Sequence, residues 1–395
     1  MKDVVILGGA RTAMAEYNGA FAKLTEVELG AVAAKGALEK CKVPPGAIDH
    51  VVFGNALQTS GNAIYGARHV GLKAGLPIEV PALTVNRLCG SGIQSVVGAA
   101  QLIRGEEAQT VLAGGMENMS QTPHVIRGLR SGLKLGEGQM EDLLMVALVD
   151  GYCGYSMAHT AENLARELGI SREQQDLYAL RSQKAAAAAH GAGKFAEEIV
   201  PVEVKSRKGK TLFAEDDHRR PDSTLEGLAA LVPAFDKGGY VTAGNASGIV
   251  DGAAAVVVMS GEAARKAGRI PLGRILAWDV VGVEPRVMGI GPVPAIRRLV
   301  ERTGVPLKDV DLFEINEAFA AQYLAVEKSL RLDRERVNVN GGAIALGHPL
   351  GATGTRLILT LLLELRRRKA RYGIASACIG GGQGIAMLLD ASQES

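Results

Sequence analysis

The 395-residue chain has little charge of either sign to spare: 44 Lys and Arg stand against 42 Asp and Glu, a formal net charge of +2. That balance excludes a strongly basic nucleic-acid binder and a disordered polyelectrolyte. Aromatic residues make up only 4%, which leaves few platforms for stacking single-stranded bases. Cysteine is scarce. Cys41, Cys89, Cys153 and Cys378 form no C-x-x-C pair and have no clustered histidines. This speaks against a metal site or a disulfide framework and for reduced thiols in a reducing compartment. No apolar run reaches the ~18 residues of a membrane-spanning helix. The longest runs, Ala253–Met259 and Leu357–Leu365, suit buried strand or helix segments. The N-terminus passes from Met1-Lys2-Asp3 into the apolar Val4–Leu7, too short for a signal peptide, so a cytoplasmic protein is expected. Glycine, by contrast, is abundant at 50 residues. No Gly-X-Y period accompanies it, so the excess belongs to tight turns and close backbone approaches.

With 47% hydrophobic residues the chain can bury a large core. Short β-rich runs alternate with longer helical stretches. Strands are predicted at Val4–Leu7, Val51–Gly54, Thr110–Ala113, Ala253–Met259, Leu312–Ile315, Arg336–Asn340, Gly373–Ala377 and Ile385–Leu389, with a Gly8-Gly9 turn after the first. Helices are predicted at Glu26–Cys41, Gly92–Arg104 and Thr353–Arg368. Such alternation implies an α/β fold with sheets covered on both faces. An internal repeat is also visible. Val43-Pro44, Ile48-Asp49, an apolar strand and Asn55-Ala56 recur 262 residues later as Val305-Pro306, Val310-Asp311, a strand and Asn316-Glu317-Ala318. In both halves a tight turn then enters a helix that leads to a glycine-rich strand end. Three matches in order point to duplication. From 119 to 249 the alternation fades, which marks an insertion: the offset less its 131 residues is close to the 125 residues of 271–395. The expected organisation is a half spanning 1–262, with the 119–249 insert inside it, and a second half at 271–395.

Four segments carry chemistry. Cys89, in Asn86-Arg87-Leu88-Cys89-Gly90-Ser91-Gly92, lies between a strand and a helix. A thiol at a helix N-terminus is expected to have a pKa lowered toward neutrality, on a turn strained through its glycines. A small buried hydrophobe reads equally well there. His348, in Gly347-His348-Pro349, sits in a Gly-dense loop with proline opening a helix; as neutral imidazole it could take the Cys89 proton. Cys378 precedes Gly380-Gly381-Gly382, whose N–H groups could face an oxyanion. The G-G-G-x-G spacing fits neither dinucleotide nor Walker loops. Asn316, in Asn316-Glu317-Ala318-Phe319, either polarises a carbonyl or caps a helix over Ala318–Leu330.

Together, and in this order, the four motifs resemble the thiolases. The likeness runs from the first strand to about residue 390 and includes Val241–Gly248. Gly289–Ala295 and Ala343–Gly351 resemble the 3-ketoacyl-CoA thiolases of the mitochondrial type, with bacterial acetyl-CoA acetyltransferases nearly as similar. The resemblance implies two copies of a five-layered α-β-α-β-α core plus a loop domain. It implies acyl transfer between CoA thioesters through an acyl-Cys89 intermediate. His348 would accept the Cys89 proton, and Cys378 would serve as the acid and base at the carbanion. One oxyanion hole would comprise His348 and a water held by Asn316; the other, the N–H groups of Cys89 and Gly380. Coenzyme A enters as substrate, with no permanently bound cofactor and no metal. Arg220 matches a position near the adenine nucleotide and Ser247 one that bonds the pantetheine. Leu148, Met157, Phe235, Ala243, Ala318 and Phe319 match the tunnel wall. The basic run Lys205–Lys210 reads as a solvated hairpin. Some acetoacetyl-CoA thiolases carry histidine where Ser156 stands here, with His159 three residues on; this moves the expectation toward broader or longer-chain substrates. The Arg127–Gly138 loop resembles the tetramerisation loop of bacterial members, implying a homotetramer built as a dimer of dimers. No nucleic-acid or membrane partner is expected. A non-catalytic acyl-CoA binder on the same fold is the alternative, and it would have been free to lose Cys89, His348 or Cys378.

Overall fold

The structure, a computed structural model, describes residues 2–206 and 209–392. In the first half, β1 (Val4–Arg11), β2 (His50–Gly54), β3 (Ala82–Val85), β4 (Thr110–Glu117) and β5 (Val250–Ser260) pack with α1 (Glu26–Lys40), α2 (Gly66–Ala74) and α3 (Ser91–Arg104). The middle segment contributes α4 (Met157–Leu168) and α5 (Arg172–Gly191). The second half contains β6 (Gly273–Gly282), α6 (Pro292–Thr303), β7 (Leu312–Ile315), α7 (Ala320–Leu330), α8 (Leu350–Arg368), β8 (Tyr372–Ile379) and β9 (Gln383–Asp390). Local chemistry sets several boundaries. Thr25 and Glu28 form a capping box at α1, and Ser171 and Gln174 form another at α5.

Strand order is β7-β8-β9-β6-β1-β5-β4-β2-β3. Apart from the edge strand β3, it reads the same from either end. β2 runs parallel to both β4 and the edge strand β3, and β7 runs parallel to β8; the remaining pairs within each half are antiparallel. The halves join where β1 meets β6, at Val5 opposite Arg274 and Ile6 opposite Gly273. Alternation along the strands separates three apolar layers. Val111, Ala113, Val256 and Val258 from one half, with Ala375, Ala377, Ile385 and Met387 from the other, face α3 and α8 in the middle. The residues between them face outward, Leu112 and Val257 toward α1 and α2, Ile374 and Leu388 toward α6 and α7. This gives α-β-α-β-α layering, with α3 and α8 covered on both sides. Truncating Leu361, buried in that central layer, to alanine costs about 2–5 kcal/mol.

The two central helices cross at equivalent glycines. A Cβ on Gly92 would fall 2.5 Å from the backbone N of Thr355, and one on Gly354 would come closer still to the backbone N of Ile93. Only glycine permits that approach.

Some expectations need correcting. Gly8 and Gly9 are not a turn; β1 continues through them to Arg11 with a bulge between Ile6 and Gly8. Residues 336–340 form no strand. Asn338 adopts φ 47°, and its side-chain amide bonds both the N–H and the C=O of Ile315 at 2.9 Å, taking the place of a neighbouring strand's backbone. α8 starts at Leu350 rather than Thr353, with Pro349 as its cap. α7 starts at Ala320, with Phe319 rather than Asn316 at its cap position. The basic run falls on a hairpin of Val202–Ser206 with Gly209–Phe213, where Lys205 pairs across to Lys210; Arg207 and Lys208 lie outside the described residues. Among the described residues no helix is long and apolar enough to cross a membrane.

Candidate active site

Cys89 lies on a single 3-10 turn, Leu88–Gly90, that runs into α3. The strained residue is not a glycine but Leu88, held at φ 45°. Its N–H donates to Asn86 Oδ1 at 2.9 Å, and the Arg87 N–H donates to Ser91 Oγ at 2.8 Å, so the elbow is bonded from both sides. Burial and the nearby Glu117 charge push the Cys89 thiol up to about 11, contrary to the expected lowering. Two groups oppose that rise, the N–H of Gly380 and the N–H of Cys89 itself, both facing the sulfur. These are the two donors expected of one oxyanion hole.

Cys378 closes β8 and is fully buried. Burial above all raises its pKa, and Cys89 lies near enough to add to the rise. The hairpin joining β8 to β9 turns through Gly381 and Gly382 at φ 79° and 82°, and this aims the preceding Gly380 N–H back at Cys89.

His348 is buried between the halves. Its ring Nε2 lies 3.3 Å from Asn316 Nδ2, and its Nδ1 lies 2.7 Å from Thr353 Oγ1. Burial and the positive Arg356 hold its pKa down to about 3, so the imidazole is neutral. Arg356 is itself paired with buried Glu314 at 2.8 Å. Asn316 Oδ1 is buried and takes no hydrogen bond from the protein. Leu350, two residues beyond His348, shares an apolar cluster with Cys89 and Leu148. Met157, Ala318 and Phe319 cluster with Cys378.

The segment 245–248 ties these pieces together. The Ser247 N–H donates to Ala318 O at 3.0 Å, the His348 N–H donates to Gly248 O at 2.9 Å, and Ala246 bridges Phe319. Arg220 and Ala243 stand farther out. They line a cavity of about 480 Å³ with His218, Ser223, Leu231 and Gly244. Phe235 is exposed and joins neither cysteine cluster. Ser156 caps α4 and holds the His159 ring at 2.7 Å. Among the described residues no group of three or more His, Cys, Asp or Glu is placed to hold a metal.

Two buried carboxylates were not singled out from sequence. Glu117, at the end of β4, accepts N–H groups from Ala56, Leu57 and Gly351 and from the Asn55 amide, at 2.7–3.0 Å. It thus ties the first half to the start of α8. Burial pushes it up to about 8 against those donors. Glu317 accepts from Tyr178, Ser182, Asn338 and the Ile344 N–H, fastening α5 to the loop that carries His348. The only sequence signal for Glu317 was its place in the Asn-Glu-Ala-Phe motif. Glu117 had none beyond a carboxylate ending an apolar strand.

Comparison with known proteins gives the family. The thiolase N-terminal domain model matches residues 4–262, and the thiolase C-terminal domain model matches residues 269–391. The human mitochondrial 3-ketoacyl-CoA thiolase is 52% identical over 393 residues, 99% of each chain. The acetyl-CoA acetyltransferase of Escherichia coli (strain K12) is 50% identical over 392 residues, again 99% of each. The crystal structure of the human mitochondrial enzyme superposes with a TM-score of 0.97 at 52% identity, covering 99% of both chains. Its complex with CoA gives the same score, covering 99% of this chain and 98% of that one. The chain belongs to the thiolase family. Its fold is the thiolase fold and its activity is that of a thiolase, an acyltransferase.

Proposed function

We propose that Cys89, His348, Asn316, Cys378 and Gly380 carry the acyl transfer, and that the substrate is a 3-ketoacyl-CoA cleaved by coenzyme A, or acetyl-CoA in the reverse condensation. The observation that carries this is the convergence of both thiols, the Gly380 N–H and the His348–Asn316 pair where the halves meet. In cleavage, Cys89 Sγ attacks the ketone carbon while its proton passes to His348 Nε2. The bond between the α- and β-carbons breaks and the acyl group stays on sulfur. The departing acetyl-CoA enolate takes a proton from Cys378. The thiol of coenzyme A then attacks acyl-Cys89 and returns a proton to Cys378, and His348 reprotonates the released Cys89. With Cys89 raised to about 11 and His348 lowered to about 3, the resting pair is thiol and neutral imidazole, so proton transfer accompanies attack rather than preceding it. The N–H groups of Cys89 and Gly380 receive the tetrahedral oxyanion, and His348 with Asn316 receives the enolate oxygen.

Coenzyme A is assigned to the cavity beside Arg220, with Ser247 at the pantetheine and Leu148, Met157, Phe235, Ala243, Ala318 and Phe319 along its path. The structure of the human mitochondrial relative in complex with CoA supports this assignment. Residues 1–262 and 271–395 form the two halves in this reading, with 119–249 as the loop domain. The absence of an imidazole at Ser156 favours broad or longer-chain substrates. A homotetramer is proposed on the Arg127–Gly138 loop, where Leu129, Leu133 and Leu135 are exposed, and native mass measurement checks it. A cytoplasmic location rests on the reduced cysteines, and fractionation of the source cell checks it.

The test is thiolysis by purified protein with coenzyme A, comparing acetoacetyl-CoA with 3-ketooctanoyl-CoA and using Cys89→Ala as control. Good cleavage of the longer substrate, lost in the variant, is the expected outcome. Cleavage of acetoacetyl-CoA alone would overturn the chain-length argument. No turnover of either would bring the non-catalytic binder forward.

A further inference from the structure

A histidine serves as base only if the nitrogen facing the reacting atoms keeps its lone pair. In neutral imidazole one nitrogen carries a proton and the other is bare, and the partner of the first decides which is which. The partner here is Thr353. Its hydroxyl oxygen lies 2.7 Å from His348 Nδ1, and both side chains are buried. The hydroxyl has one proton, and it has another taker: the carbonyl of Pro349, four residues back at the start of α8, at 3.0 Å. Threonine on a helix commonly bonds the carbonyl four residues back, which also fixes its first side-chain torsion. With its proton so directed, the oxygen meets Nδ1 with a lone pair. Nδ1 is then N–H and Nε2 is bare. The approach of Asn316 Nδ2 to Nε2 at 3.3 Å agrees, because an amide N–H needs an acceptor there.

We infer that Thr353 is a positioning residue of this enzyme: by accepting from Nδ1–H it holds His348 in the tautomer whose Nε2 can take the Cys89 proton. The rotation of the ring is fixed at the same time. Thr353 and His348 are only five residues apart and both belong to the entry of α8, so one helix start supplies both base and orienter. The inference rests on the assignment of His348 as the proton acceptor for Cys89. The rival arrangement turns the Asn316 amide over, sends the Thr353 proton to Nδ1 and places a proton on Nε2, the nitrogen that must be bare.

The deciding measurement is the ¹⁵N spectrum of histidine-labelled resting enzyme at neutral pH, with His348→Asn used to assign the signals. A protonated Nδ1 and a bare, pyridine-like Nε2 are expected. A protonated Nε2 in the unaltered enzyme would overturn the inference. This readout involves no turnover, so it stands or falls separately from the catalytic assignment. Kinetics supplies the second arm. Thr353→Val keeps the volume but removes the acceptor. It is expected to lower kcat for thiolysis about 10- to 100-fold, the range seen when a group that orients a functional imidazole is lost, and to change KM less than about 3-fold. Thr353→Ser is expected to restore most of the rate. Equal losses in both variants would assign the effect to packing of the threonine methyl and overturn the inference, as would full activity in Thr353→Val.

Discussion

The helices α3 and α8 hold equivalent places in the two halves and cross at Gly92 and Gly354, yet they arrive there with different chemistry. Shifted by the 262-residue repeat, the counterpart of Cys89 is Gly351, whose N–H donates to Glu117. The counterpart of His348 is Asn86, whose side chain shapes the Leu88 elbow. The counterpart of Cys378 is Met116, which is packed in the outer core of the first half. The scaffold is thus present twice and each reactive group once. At every reactive position the opposite half keeps a residue that shapes or fills. In the proposed assignment neither half alone holds the nucleophile with its base, so that site forms only at the crossing.

That contrast can be broken directly. Gly92→Ala or Gly354→Ala drives a methyl into facing backbone that has no room to yield. Urea or thermal unfolding should show a loss of about 3 kcal/mol. Gly98→Ala on the same α3 meets only Val52 Cγ1 at 3.4 Å and should be neutral or gain up to about 1 kcal/mol. The two thiols can also be separated. Cys89→Ala should abolish acyl-enzyme formation from acetyl-CoA, read by intact-protein mass. Cys378→Ala should still become acylated while losing about 10²- to 10⁴-fold in carbon–carbon bond cleavage and formation. Alkylation of resting Cys89 by iodoacetamide should quicken about tenfold per pH unit between pH 7 and 9, with no plateau, because its thiolate is scarce below a pKa of about 11. A plateau near neutrality would show a preformed thiolate instead. The smallest effect is expected away from the crossing. Ser156→Ala removes the α4 cap and should cost about 1 kcal/mol of stability.

Much of this arrangement was legible in the sequence because it rests on patterns that are local. Apolar strand runs, the 262-residue recurrence and the fading of alternation after residue 119 gave the α/β class, the duplication and the insert. Four short motifs marked the side chains that the structure brings together. What could not be read depends on contacts between distant segments. The Cys89 thiol looked acidic from its place before a helix, but burial outweighs the helix end, and burial is not written in a heptapeptide. Residues 336–340 had strand composition, and only the fit of the Asn338 amide onto Ile315 shows why no strand forms. Leu88 carries strain that no residue type announces. Glu117 and Thr353 matter through partners that folding alone supplies.

The shared middle layer also bears on how the chain is made. α3 and the inner faces of β4 and β5 find their cover in α8, whose last residue is Arg368. A ribosome synthesising this protein therefore releases the whole first half with one broad apolar surface still open to water. That surface stays open until α8 has been translated, ahead of the last two strands. Cells producing this enzyme must shield that surface from the completion of β5 at Ser260 until α8 is made, and a chain truncated before α8 aggregates rather than persisting as a smaller soluble protein.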